Sequence, residues 1–252
     1  MERHRAICLN GVTPADVTYR SFAAALGANA ELRLKDLEGY AAEFPIGYKL
    51  ETEVLGIARV ATDAGWARFH LVGYSGGASV ALAFATARPE AVLSLALIEP
   101  VFVGNDASWS DEYAALLASI DDALRAPLEK RPASFFRALS APGRMPPGEL
   151  GASQPKWLIP RSERQGWMWP RWRDPKFGPH RLVPVHRSVY VAVGGRSRAA
   201  FMEIARWLAH KSLGTTIDVY DERSHFDPPH IVDAERFAAA VYENWERAVA
   251  AS

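Results

Sequence analysis

The chain has 252 residues, with 29 basic and 29 acidic side chains, so its formal net charge is zero. A chain of this length can bury a sizeable core as one domain, and the balanced charge excludes a long-range field that would recruit nucleic acid or an anionic membrane. The only cysteine, Cys8, excludes an internal disulfide framework. The first apolar stretch is too short for a signal-peptide core and no run approaches transmembrane length, so we expect a cytoplasmic protein.

Short apolar runs that alternate with helical patterns predict a mostly parallel sheet with helices on both faces. Strands are predicted at 6–9, 31–34, 68–74, 92–98, 188–193 and 215–220, and helices at 19–26, 49–64, 77–87, 199–210 and 232–249. The second of these strands alternates in polarity and is predicted to lie at a sheet edge.

The alternation of strands and helices is interrupted between the fourth and fifth predicted strands. Short helices are predicted at 111–124 and 133–139, prolines recur, and four tryptophans crowd into what reads as one irregular segment: Trp157, Trp167, Trp169 and Trp172. We interpret this part as a helical lid at 101–185, inserted between a first core part at 1–100 and a second at 186–252.

The turn after the third strand reads Gly73-Tyr74-Ser75-Gly76-Gly77. A glycine two positions before and after a serine, between a strand and a helix, is typical of a nucleophile elbow. Such a turn would lift the Ser75 hydroxyl clear of the sheet and aim the Gly76 N–H at an oxyanion formed there. The alternative is a glycine-rich turn that merely contains a serine.

A serine hydroxyl needs a base within hydrogen-bond reach. After the last predicted strand, the segment 221–230 contains His225 and His230. His225 lies in the loop that leaves the sheet just ahead of the final helix, where a general base is expected. A surface histidine would fit the same pattern. His230 falls at or inside that helix, so we expect it to face solvent.

Three motifs together resemble the α/β-hydrolase superfamily: the elbow, Ser224-His225-Phe226 after the last strand, and Leu9-Asn10-Gly11-Val12 after the first. The resemblance implies an α/β-hydrolase fold with a mostly parallel sheet of about six strands, an inserted lid, and the chain order serine, acid, histidine. It also implies an oxyanion hole formed by the N–H groups of Val12 and Gly76. Asn10 departs from the family pattern, since many relatives carry histidine there.

The acid of this triad is the least determined member. Many relatives have an aspartate after the strand that follows the lid, but the segment 194–198 holds no carboxylate. The family's second place is the loop after the strand that follows the elbow helix, where Glu99 precedes Pro100. We predict that Glu99, held extended by Pro100, orients His225. Asp106, Asp221 and a dyad without an acid stay as alternatives.

These residues predict a serine hydrolase that cleaves a small carboxylic ester or related acyl compound through an acyl-enzyme on Ser75. A hydrolase of carbon–carbon bonds, a lactonase, a thioesterase and a non-catalytic ligand-binding protein are the alternatives.

The partner is expected to be a small-molecule substrate, with a homodimer left open. The candidate pocket residues are Tyr74, Trp157, Trp167, Trp169 and Trp172, with lid packing as the alternative role of the tryptophans. No residue cluster has zinc spacing and no glycine-rich phosphate loop occurs, so neither a metal nor a cofactor is expected.

Overall fold

The computed structural model describes residues 3–104, 110–144, 154–173, 188–212 and 214–251. Six strands form one sheet: β1 (His4–Leu9), β2 (Ala30–Lys35), β3 (Phe69–Tyr74), β4 (Val92–Ile98), β5 (Val189–Gly194) and β6 (Thr215–Tyr220). Their order across the sheet is β2-β1-β3-β4-β5-β6, and every neighbouring pair is parallel. The predicted parallel sheet of about six strands is confirmed, with β2 at one edge.

Helices cover both faces of this sheet. Within the described residues they are α1 (Ala15–Thr18), α2 (Arg20–Leu26), α3 (Leu50–Asp63), α4 (Gly76–Ala87), α5 (Asp111–Arg125), α6 (Arg131–Leu139), α7 (Leu158–Trp172), α8 (Ala199–Lys211), α9 (Pro229–Val232) and α10 (Ala234–Ala250). Helices α3, α4 and α8 contribute to one buried apolar core, and α2 and α10 contribute to a second. The two cores are separated by the sheet.

Strand β3 shows how the sheet divides its side chains. Leu71 packs in the core beneath α3 and α4, whereas Val72 and Tyr74 pack in the core beneath α2 and α10. Successive side chains on a strand point to opposite faces, so this alternation follows from the strand geometry. Cys8 also lies in the second core and is buried, as a lone thiol in an apolar run would be.

The prolines of the tryptophan-rich segment suggested an irregular structure, but the segment is not irregular. It contains the 15-residue helix α7. Pro160 lies in the first turn, where its missing N–H would have no partner within the helix in any case. Pro170 lies in the last turn, where its missing N–H removes one hydrogen bond to the carbonyl four residues earlier near the end of the helix.

Helices α5, α6 and α7 occupy the segment between β4 and β5. Of the predicted lid at 101–185, residues 105–109, 145–153 and 174–185 lie outside the described residues, and the division into core and lid stays a prediction. None of the helices that the structure describes is both long enough and apolar enough to cross a membrane.

The start of α4 is pressed against the end of β1. A Cβ added at Gly77 would lie 2.2 Å from the Leu9 carbonyl oxygen, and one added at Gly73 would lie 2.5 Å from the Ala78 Cα. Both contacts are with backbone atoms, which cannot turn aside as a flexible side chain would. Glycine at these two positions therefore lets the strand, the turn and the helix pack together.

We predict that Gly77→Ala lowers the free energy of unfolding by about 3 kcal/mol or more, because two backbone segments must separate. Gly47→Ala is the matched control, since its added Cβ meets no atom within 4 Å but its φ is +67°. That control should lose only about 1–2 kcal/mol, the cost of a left-handed alanine. Urea denaturation measures both variants, and equal losses would contradict the prediction.

Candidate active site

Ser75 lies at the sharp turn between β3 and α4. Its φ is 56° and its ψ is −121°, and its N–H donates to the Ile98 carbonyl at 2.9 Å, which extends the pairing of β3 with β4. Among the non-glycine residues that the structure describes, only Ser75 and Glu99 have a positive φ. Backbone conformations of this kind are costly and cluster at functional sites.

His225 approaches the Ser75 hydroxyl from the loop between β6 and α9. The distance from His225 Nε2 to Ser75 Oγ is 3.1 Å. Phe201 stacks on the imidazole, with ring centroids 4.7 Å apart and planes 10° apart. On the backbone side, the Tyr74 hydroxyl donates a hydrogen bond to the His225 carbonyl. The ring is thus held in place by a stacked side chain and by an anchored main chain.

Glu99 lies on the other side of this imidazole. Its Oε2 is 2.7 Å from His225 Nδ1, and its Oε1 accepts a 2.7 Å hydrogen bond from the Gly194 N–H. Ser75, His225 and Glu99 are respectively 6%, 1% and 2% exposed. A buried carboxylate in this position favours the tautomer with a proton on Nδ1, which leaves Nε2 free to accept one from Ser75.

The expectation that Pro100 holds Glu99 extended is wrong, because the φ of Glu99 is 44°. A following proline disfavours the right-handed helical region, but the chain here takes the left-handed region instead. The Glu99 N–H still donates to the Ala192 carbonyl at 3.3 Å, so the turn begins directly at the end of β4 and brings the carboxylate across the end of β5.

The other candidate acids do not reach the imidazole in the described part of the chain. Asp221 is exposed, and the carboxylate that contacts His225 Nδ1 is that of Glu99. Asp106 lies outside the described residues. The arrangement therefore favours Glu99, whose role as the acid we carry forward as part of the proposal below.

The loop after β1 passes beside the Ser75 side chain. A Cβ added at Gly11 would lie 2.9 Å from Ser75 Cβ, and Val12 and Gly76 line the same cavity as Ser75. Within the described residues, neither the Val12 N–H nor the Gly76 N–H donates to a protein acceptor. Both donors are therefore available to an oxyanion, which is the role predicted for them.

An apolar cavity opens onto Ser75. Its lining residues are Gly11, Val12, Tyr40, Ser75, Gly76, Val101, Ile120, Leu124, Phe135, Gln165, Met168, Trp169 and Trp172. No charged side chain of the described residues is among them. The cavity volume is about 30 Å³, where one water needs roughly 10–15 Å³ on the same measure. This volume and the uncharged lining favour a small, uncharged group beside the hydroxyl.

Two of the five predicted pocket residues line this cavity, Trp169 and Trp172, and three do not. Tyr74 packs in the core beneath α2 and α10, on the face of the sheet opposite to the cavity, because successive side chains on β3 point to opposite faces. Trp167 is 39% exposed and packs on Phe44, with ring centroids 5.3 Å apart. Trp157 precedes the first turn of α7 and does not reach the cavity.

The register of α7 explains this division. Gln165, Met168, Trp169 and Trp172 follow the three- and four-residue spacing of one helix face, and all four line the cavity. Sequence reasoning missed Gln165 and the residues from α5 and α6, since periodicity marks an apolar face without showing which cavity it meets. In the described part of the chain, no group of His, Cys, Asp and Glu is arranged to hold a metal.

The expectation that His230 faces solvent is wrong. Its side chain is fully buried, with ring centroids 4.8 Å from Tyr74 and 5.3 Å from Tyr19. The short helix α9 turns this side chain inward beneath the loop that carries His225. Burial lowers the pKa of His230 to about 3, with a smaller contribution from the nearby His225, so the folded protein keeps it neutral.

No protein-family model and no curated protein sequence matches the chain, whereas many solved structures match its fold. An esterase from a Rhodococcus species superposes with a TM-score of 0.73 at 18% identity, covering 97% of this chain and 90% of that one. The chain has the α/β-hydrolase fold.

Two further solved structures share this α/β-hydrolase fold. An esterase from Exiguobacterium antarcticum superposes with a TM-score of 0.71 at 16% identity, covering 96% of this chain and 92% of that one. A loop variant of a haloalkane dehalogenase from Bradyrhizobium elkanii gives 0.68 at 16% identity, covering 99% and 91%. An esterase and a dehalogenase share the fold, so the fold does not fix the reaction.

The buried histidines predict how stability depends on pH. Burial lowers the pKa values of His70 and His230 to about 3, whereas an unfolded histidine titrates near about 6.5. As the pH falls below that value, His70 and His230 bind protons in the unfolded chain but stay neutral in the folded protein. The free energy of unfolding should therefore fall by up to about 1.4 kcal/mol per pH unit for each residue, until the pH nears the folded pKa.

His230→Phe should remove its own share of this slope, because phenylalanine fits the aromatic surroundings and does not titrate. Urea denaturation at about pH 7 and about pH 5 should show the variant losing about 2 kcal/mol less than the wild type. An unchanged slope in the variant would show that His230 is charged in the folded protein.

Proposed function

We propose that the protein is a serine hydrolase that cleaves small, uncharged carboxylic esters through an acyl-enzyme on Ser75. The observation that carries this proposal is the hydrogen-bonded chain from Ser75 Oγ through His225 to Glu99, with distances of 3.1 and 2.7 Å. A nucleophile, a base and a group that orients the base are the three parts that serine-based acyl transfer needs.

In the first half-reaction, His225 Nε2 takes the Ser75 proton while Oγ bonds to the substrate carbonyl carbon. The carbonyl oxygen becomes an oxyanion, which the N–H groups of Val12 and Gly76 stabilise. The Glu99 carboxylate stabilises the imidazolium that forms. His225 then gives its proton to the leaving alkoxide as the carbon–oxygen bond breaks, and the alcohol departs.

In the second half-reaction, water attacks the acyl-enzyme. His225 Nε2 takes a proton from the water, its oxygen bonds to the acyl carbon, and the same two N–H groups stabilise the second oxyanion. Return of the proton to Ser75 Oγ releases the carboxylic acid. Helices α5, α6 and α7 act in this proposal as a lid that supplies the apolar wall.

The cavity supports a substrate with a short, uncharged acyl group. Its lining is apolar apart from Tyr40, Gln165 and Ser75, and burial of an uncompensated charge there would be costly. Thioesters and lactones present the same carbonyl carbon and belong in the test panel. The cytoplasmic location and the formation of a homodimer stay predictions.

A fluorophosphonate probe tests the nucleophile and the base. The wild type should be labelled, and Ser75→Ala and His225→Ala should abolish the labelling, because one lacks the attacking oxygen and the other lacks the base. Intact-mass spectrometry measures the adduct. A wild-type protein that never labels would favour the non-catalytic ligand-binding alternative.

The acid is tested by Glu99→Gln, with Asp221→Asn as the matched control. Loss of the orienting carboxylate should lower kcat by a factor on the order of 10⁴. The control, on an exposed residue at the same sheet edge, should retain wild-type kcat. The measurement is steady-state hydrolysis of p-nitrophenyl acetate, and near-wild-type turnover by Glu99→Gln would remove Glu99 from the mechanism.

Chain-length selectivity tests the cavity. The kcat/KM should be highest for acetyl and butyryl esters and at least about tenfold lower for octanoyl esters. Each methylene group that does not fit in the cavity stays in water, so its burial does not stabilise the transition state. Phe135→Ala should move the optimum toward longer chains, because Phe135 lines the cavity. Trp167→Ala, outside the lining, is the control and should leave the profile unchanged.

A further inference from the structure

Helix α7 is tied to the loop that carries a predicted oxyanion donor, the segment 10–13, here called the oxyanion loop. Arg161, in the first turn of α7, donates from Nη1 to the Val12 carbonyl at 3.3 Å. Its Nη2 forms an ion pair with Asp36, and its guanidinium lies 4.6 Å from the centre of the Tyr40 ring. The Arg161 side chain is only 12% exposed.

Asp36, directly after β2, joins Arg161 to the rest of this loop. Its Oδ1 accepts hydrogen bonds from the Asn10 side-chain amide at 2.9 Å and from the Ala15 N–H at 2.8 Å. The same Asn10 amide also donates to the Thr13 carbonyl. One carboxylate oxygen thus binds the first residue of the oxyanion loop and the start of α1 just beyond the loop, and the second oxygen binds the arginine of α7.

These contacts bear on the oxyanion hole because the Val12 carbonyl and the Val12 N–H belong to adjacent peptide units. Rotation of the backbone at this residue would move the donor away from the oxyanion. Hydrogen bonds that involve charged groups are shorter and stronger than neutral ones, so a guanidinium and a carboxylate resist that rotation well. An oxyanion hole is effective only when its donors are already in place.

We propose that Arg161 is a positioning residue that fixes the oxyanion loop through Asp36 and the Val12 carbonyl, and so couples the seating of α7 over the cavity to the oxyanion hole. This inference rests on the hydrolase activity proposed above. It also gives Asn10 a role, because its side-chain amide ties the loop to Asp36.

Arg164, one turn further along α7, provides a matched control. It donates to the Ala42 carbonyl at 3.0 Å, and its guanidinium lies 4.7 Å from the Trp167 ring centre. Like Arg161, it is partly buried and attaches α7 to the segment after β2. Within the described residues, its hydrogen-bond and cation–π partners lie outside the oxyanion loop, so its loss should weaken the attachment of α7 without moving the Val12 N–H.

The test compares Arg161→Met with Arg164→Met in hydrolysis of p-nitrophenyl acetate. Arg161→Met should lower kcat by about tenfold to a hundredfold with KM within about twofold, because a misplaced donor weakens only the transition state. Arg164→Met should keep both constants within about twofold of the wild type. Thermal unfolding of each variant monitors folding.

A trifluoromethyl ketone gives a second readout that a purely structural role would not move. Ser75 Oγ adds to its carbonyl carbon and leaves an oxyanion in the hole, so Arg161→Met should weaken inhibition by about the same factor as kcat. Asp36→Asn should act in the same direction and carries the test if Arg161→Met does not fold. The double variant should be no worse than the worse single, since both act through one contact.

Equal losses of kcat in the two arginine variants would overturn the proposal, as would a rise in KM alone or undiminished inhibition by the ketone. A wild-type protein that neither hydrolyses the ester nor binds the ketone would instead overturn the proposed hydrolase function, and the positioning role with it. The wild-type measurements are made first, so the two failures are distinguishable.

Discussion

The contact between His225 and Ser75 is the interaction on which the proposed chemistry depends, and the parallel sheet makes it possible. The two residues are 150 positions apart in the chain, yet their side chains meet at 3.1 Å. Strands that all run the same way end at the same edge, so the loops that follow them converge there. Ser75 follows β3, Glu99 follows β4 and His225 follows β6.

The remaining strands contribute to the same edge. The oxyanion loop follows β1, Asp36 follows β2, and Gly194, at the end of β5, donates to the Glu99 carboxylate. The chain bends sharply at two of these points, where Ser75 and Glu99 take a positive φ. Such conformations cost roughly 1–3 kcal/mol each and persist only where the surrounding packing determines them.

Sequence patterns predicted the features that depend on local order. Strands and helices alternate clearly, and the elbow places its glycines where backbone atoms approach within 2.2 and 2.5 Å of a would-be side chain, so the sheet and the position of Ser75 could be predicted. Glu99 was reached only through a resemblance, because nothing local marks a carboxylate that must bind an imidazole 126 residues away.

Features that depend on tertiary packing were predicted poorly. The prolines at the two ends of α7 concealed a helix, and the register of that helix decides that Trp169 faces the cavity while Trp167 faces Phe44. His230 is buried because α9 turns this side chain toward Tyr19 and Tyr74, which no periodicity reveals in a segment of four residues. The ion pair between Arg161 and Asp36 joins two residues 125 positions apart. In the sequence each has the appearance of an ordinary surface charge, and only the fold brings the two together.

Trapping the acyl-enzyme tests the central claim most directly. The protein is mixed with p-nitrophenyl butyrate, quenched in acid before the steady state, digested and examined by mass spectrometry. The account predicts a butyryl group on the peptide that contains Ser75, together with a burst of p-nitrophenol equal to the enzyme concentration. Turnover with no acylated peptide, or an acyl group on another residue, would contradict it.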